Sequence, residues 1–149
     1  ENTAALIKLI PAVAARYLEE ISKAGEQLTE SWQFQQLLSP LFFGARSEMA
    51  YLVCMDGKCE LLACRKIGEG VASAVDITSR KVVEEALSCN AVRVALAHNH
   101  VSGIAAYSAA DVASTRQLSR ILAAVDIKLV DHFILAGDDM VSMRDSGVL

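Results

Sequence analysis

The chain has 149 residues, enough for one domain with a short appendage. Apolar residues make up 53% of it and the mean hydropathy is +0.33, yet no apolar run reaches the ~18 residues a membrane helix needs. With 14 basic and 18 acidic residues the net charge is −4 and no Lys/Arg stripe is present, which argues against a stand-alone DNA binder. The apolar surplus points to strands covered on both faces, with a homo-oligomer interface as a second use for it. The chain opens on Glu1 and shows no export leader, so it is expected to be part of a longer, cytoplasmic protein.

In chain order, residues 3–24 repeat apolar side chains at helical spacing, with Pro11 as a kink and Gly25 as the stop. Trp32–Leu38 predicts a second helix, with a further turn after Pro40. Met49–Met55 is an almost continuous apolar run, as a central strand would be. Asp56-Gly57 predicts a two-residue hairpin turn, and Cys59–Ile67 the partner strand. Gly68 and Gly70 mark a break, followed by a short strand near Ala72–Val75. Thr78 or Ser79 should cap a helix whose inner face is Val82, Val83, Ala86 and Leu87, closed by Asn90. Ala91–Ala97 reads as a buried strand running into His98. Ser108 then opens a long helix with Leu118, Ile121, Leu122 and Val125 inside. Ile127–Leu135 and Met140–Met143 are the last strands, joined at Gly137-Asp138-Asp139. Helices interleaved with strands, plus one hairpin, predict an α/β fold: a mixed sheet with helices on both faces.

The four cysteines, Cys54, Cys59, Cys64 and Cys89, form no C-x-x-C pair, which argues against a thiolate metal site. Cys54 and Cys59 are symmetric about Asp56-Gly57 and should face each other across the hairpin, as reduced thiols in a cytoplasmic protein.

Chemistry concentrates in His98-Asn99-His100, seven residues, then Ser108-Ala109-Ala110-Asp111. Two histidines at i and i+2 of an extended chain point the same way and can converge on one metal. Taken alone, the pair is better explained by two ordinary strand-end histidines; that two of the chain's three histidines stand one residue apart shifts the balance. Ser108-x-x-Asp111 is a variant capping box, and a capped first turn would project the Asp111 carboxylate at a defined angle. Two histidines and one carboxylate leave a fourth metal position open, as in catalytic zinc sites. Proton transfer from a zinc-acidified water needs a base, and Glu48, a carboxylate at the mouth of the apolar strand, is the candidate.

His-x-His-x7-Ser-x-x-Asp with an upstream Glu resembles the JAMM motif of JAB/MPN metalloproteases. The wider sequence resembles the bacterial RadC family, through Ala97-His98-Asn99-His100, Ser102-Gly103, Leu129-Val130-Asp131-His132 and Met143 to Leu149. The resemblance implies a cytidine-deaminase-like three-layer α/β/α domain over residues 29–149, preceded by the tail of a helical segment over 1–28. It implies Zn2+ held by His98, His100 and Asp111, Glu48 as general base, Ser108 supporting an oxyanion, and a peptide or protein substrate cleaved at a peptide or isopeptide bond. The family name is associated with DNA repair; contact with DNA would have to come through a preceding domain. Val101 and Tyr107 stand where the family has prolines, so the loop between the ligands should be looser. The alternatives are a non-catalytic module that keeps the metal as a staple and, less favoured by the acidic balance, a metal-dependent nuclease.

Overall fold

Seven consecutive apolar residues, Met49–Met55, form strand β1, and all seven are buried. Such a strand needs neighbours on both edges and cover on both faces. The computed structural model, which describes residues 13, 25–70 and 79–149, supplies both. β1 pairs antiparallel with β2 (Leu61–Glu69) and, on its other edge, antiparallel with β3 (Arg93–Asn99). β3 pairs in parallel with β4 (Lys128–Ala136), and β4 antiparallel with β5 (Asp139–Ser142). The mixed sheet therefore runs β2-β1-β3-β4-β5. Three helices join it among the described residues: α1 (Ser31–Phe42), α2 (Ser79–Ser88) and α3 (Ala109–Ala123).

The two-residue period of the strands sorts the core into two halves. Tyr51, Val53, Met55, Ala95, Ala97, Phe133 and Leu135 pack with Phe34, Leu38, Leu41 and Phe42 of α1. Ala50, Leu52, Cys54, Val94 and Leu96 pack with Val82 and Ala86 of α2 and with Leu118 and Leu122 of α3. This is the α/β/α layering expected from the sequence.

Several local expectations change. The hairpin after β1 is not a two-residue turn. The Asp56 carboxylate accepts from the backbone N–H groups of Lys58 (2.8 Å) and Glu60 (2.9 Å), and Cys59 N–H reaches the Asp56 carbonyl at 3.2 Å. Those bonds favour an Asx-type turn with a three-residue loop whose last residue, Cys59, takes φ 64°. Cys54 consequently pairs with Ala63 rather than facing Cys59, and no disulfide forms there. α1 continues through Pro40 to Phe42 as one helix; proline in the last turn forfeits a single backbone bond there. Leu87 and Val125, expected on inner faces, are exposed. The buried stripe of α3 is Asp111, Thr115, Leu118 and Leu122. Asn90 does close α2, at φ 51°, with the Ala91 N–H on the Ala86 carbonyl at 3.0 Å. The strand near Ala72–Val75, the Thr78 cap and, Val13 aside, the helix over 3–24 lie outside the described residues.

α1 is held to the sheet by Phe34, 1% exposed, whose ring centroid lies 4.7 Å from that of Phe133. Phe34→Ala should cost about 3–5 kcal/mol in urea unfolding. Trp32→Ala, two residues earlier on the exposed side of α1, should change stability by no more than ~0.5 kcal/mol. Equal effects would mean that α1 does not depend on this contact.

Candidate metal centre

β3 ends on the histidine pair, and its neighbours hold both residues in place. His98 is the last β3 residue paired with β1, opposite Ala50, and it sits on the α3 face with Val94 and Leu96. His100 lies just past the strand, where its N–H still donates to the Leu135 carbonyl at 2.8 Å. Across the crevice Ser108 caps α3. Its hydroxyl accepts from Asp111 N–H (3.1 Å) and donates to Asp111 Oδ2 (2.6 Å), and its own N–H donates to the same oxygen (2.8 Å). The capping box aims the other carboxylate oxygen, Oδ1, at the histidines.

Three atoms converge. His98 Nε2 lies 2.9 Å from His100 Nε2 and 3.6 Å from Asp111 Oδ1. One ligand atom from each of the three residues lies within 4.8 Å of the other two. Donors at zinc-like distances in tetrahedral arrangement stand about 3.3 Å apart, so this spacing suits a small divalent ion. Hydrogen accounting points the same way. The Ile104 carbonyl, 3.3 Å from His100 Nδ1, can only accept, so Nδ1 carries the proton and the His100 Nε2 lone pair faces His98. Asp111 Oδ1 is buried and has no hydrogen-bond partner. An acceptor left so is costly unless a cation satisfies it.

The electrostatics keep the site ready for a metal. Burial pushes the His98 pKa down to about 4; the Asp111 charge opposes this and His100 adds to it. Burial pushes His132 down to about 3, with His98 contributing and Asp111 opposing. Burial raises the Asp111 pKa, but the bonds from Ser108 and the adjacent His98 and His132 more than offset that, and it lies below the usual carboxylate value. His98 and His132 are therefore held neutral and Asp111 ionised, the states in which an imidazole and a carboxylate bind metals.

Glu48 immediately precedes β1. It stands two residues before Ala50, the partner of His98, and its carbonyl accepts from the Gly70 N–H at 2.8 Å. Its Oε2 is buried without a hydrogen-bond partner, and it is not one of the three converging residues. Asn99, between the two histidines, grips the chain on either side of Glu48. Its Oδ1 accepts from Met49 N–H at 2.6 Å and its Nδ2 donates to the Ser47 carbonyl at 3.3 Å.

Three residues given no role from sequence thus belong to this site: Asn99, Thr115 and His132. His132, fully buried on β4, has Nε2 2.8 Å from His98 Nδ1 and Nδ1 2.6 Å from Thr115 Oγ1. The signals for it in the sequence are a histidine beside Asp131 in a largely apolar strand and its place in the family-like stretch Leu129-Val130-Asp131-His132, neither of which gives it a role.

A RadC-like JAB domain is the family whose model matches residues 28–148. A UPF0758 protein of Photobacterium profundum is 35% identical over 145 residues, 97% of this chain and 65% of that protein. Those of Vibrio parahaemolyticus (35% over 141 residues; 95% and 63%) and Bordetella parapertussis (34% over 146 residues; 98% and 65%) are similar to a like degree. The chain spans a little under two thirds of the length of these relatives.

The depressed histidine values set a pH dependence for the metal-free protein. Unfolded, both histidines protonate near pH 6.5; folded, only near 4 and 3. Between pH 6.5 and 4 the unfolded chain binds more protons, so stability is full above pH 6.5 and falls on acidification. The slope should approach about 2 kcal/mol per pH unit near pH 5. Urea unfolding of metal-free protein from pH 7.5 to 4.5 measures it. A flat profile would show that both histidines take up protons in the fold as they do unfolded.

Proposed function

Because the chain belongs to the RadC-like JAB domain family, we propose that it is a zinc-dependent metallohydrolase that cleaves a peptide or isopeptide bond in a peptide or protein substrate. The observation that carries this is the meeting of His98 Nε2, His100 Nε2 and the partnerless Asp111 Oδ1 at one point. These residues would hold the ion and leave a fourth position open, as catalytic sites do and structural ones do not. The chemistry a zinc ion supplies is Lewis acidity toward a carbonyl oxygen and acidification of water to a pKa of about 7.

The remaining steps fall to the chain's own groups. Glu48 takes the proton of the attacking water on Oε2, the oxygen with no other partner, and delivers it to the leaving nitrogen. Asn99 holds the backbone on both sides of that carboxylate. Ser108 supports the oxyanion by turning its hydroxyl hydrogen away from Asp111 Oδ2, where it now rests. That resting bond favours a second reading, a metal-bearing interaction module without turnover, because it leaves Ser108 no hydrogen for an oxyanion.

The readings separate on Glu48. Purified protein should bind about one zinc per chain, and His100→Ala or Asp111→Ala should abolish tight binding. Glu48→Gln should keep the zinc and lower cleavage of a peptide and isopeptide panel on the order of 10²-fold or more. Undiminished zinc in the His100 and Asp111 variants would remove the site. A zinc-loaded wild type that cleaves nothing in the panel, indistinguishable from Glu48→Gln, would leave the interaction module.

A further inference from the structure

Behind His98, on the side away from the converging atoms, a chain of hydrogen bonds runs through the core. His98 Nδ1 meets His132 Nε2 at 2.8 Å, and His132 Nδ1 meets Thr115 Oγ1 at 2.6 Å. Thr115 Oγ1 in turn lies 2.5 Å from the backbone carbonyl of Asp111, one helical turn back on α3. His98, His132, Thr115 and Asp111 are each 3% exposed or less, so solvent offers no competing partner.

One contact gives the chain its direction. The Asp111 carbonyl has no hydrogen to offer, so at 2.5 Å the Thr115 hydroxyl must donate to it. A hydroxyl has one hydrogen; having spent it there, Thr115 can only accept from His132. His132 therefore carries its proton on Nδ1, and its bare Nε2 accepts from His98. His98 then carries its proton on Nδ1 and presents Nε2 unprotonated toward His100 and Asp111. In the opposite direction Thr115 would donate to His132, two oxygens would sit 2.5 Å apart with no hydrogen between them, and His98 Nε2 would donate to His100 Nε2 at 2.9 Å; in the direction adopted those two nitrogens face each other bare, a contact that a shared cation relieves.

We propose that His132 and Thr115 are positioning residues, a one-way hydrogen-bond chain that presets the metal-binding tautomer of His98 and ties it to the helical turn that carries Asp111. The inference rests on His98 acting as a ligand. Metal-binding histidines commonly donate their second N–H to a carboxylate or a carbonyl. Here the acceptor is a neutral imidazole whose own tautomer is set one bond further back by threonine. The metal thus finds its first histidine already deprotonated at the required atom.

The test uses 15N-histidine NMR on the zinc-free chain, whose three histidines are few enough to assign singly. In the wild type, His132 and His98 should both be protonated on Nδ1 and bare on Nε2. Thr115→Val keeps the shape and removes the hydroxyl. It should give mixed tautomers at both rings and weaken zinc binding about 10–100-fold, and Thr115→Ser should restore both. A His132 protonated on Nε2 in the wild type overturns the proposal. So does a folded Thr115→Val protein with wild-type tautomers and zinc affinity. Should Thr115→Val fail to fold, the wild-type tautomers and the affinity of Thr115→Ser decide alone. If the wild type binds no zinc, the metal reading falls, while the tautomers still judge the chain of bonds.

Discussion

Everything in the molecule depends on the register of β3 between β1 and β4. Side chains alternate between faces along a strand, so a slip of one residue would turn Ala97 toward α3 and push His98 into the apolar layer under α1. Both faces of β3 are buried, and such a slip would place a histidine against Phe34 and Phe133. The apolar pattern that builds the core therefore also selects the face on which the imidazole emerges. Folding and site assembly are one choice here, made by ordinary hydrophobic sorting.

The cost of that arrangement is a buried polar cluster in a layer that is otherwise aliphatic. His98, Asp111, Thr115 and His132 are all desolvated, and each hydrogen bond among them offsets part of the loss. Among the described residues the buried side-chain atoms left without a hydrogen-bond partner are two carboxylate oxygens, Asp111 Oδ1 and Glu48 Oε2, and Arg93 Nε. An unmet carboxylate oxygen beside two imidazoles, as at Asp111, draws in a cation. The two apolar halves of the core supply the stability that lets the chain tolerate these unpartnered atoms.

Much of this was legible in the residues. The seven-residue apolar run, the His-x-His pair and the Ser-x-x-Asp cap each have a local physical cause, and each stands where expected. The misses were of another kind. The hairpin loop differs because one carboxylate, Asp56, bonds two backbone groups at once, a choice between turn types that the Asp-Gly pair does not reveal. Leu87 is the penultimate residue of α2 and Val125 lies two residues past the end of α3, and neither falls on the buried stripe of its helix. Thr115 looks like any threonine on a helix and Asn99 like a spacer between histidines. Their roles arise only when β4 and the start of β1 come alongside, and that proximity is tertiary.

Asn99 has one more consequence. It belongs to the strand that bears the histidines, yet its amide holds the peptide groups flanking Glu48. The proposed base and the first of the proposed ligands are thus measured from one ruler. When the sheet breathes, β1 and β3 carry them together, and the gap between them varies less than either position does in the laboratory frame. The spacing set by Asn99 does not run through the 101–107 loop, so that loop can differ in shape without altering the alignment of the two groups.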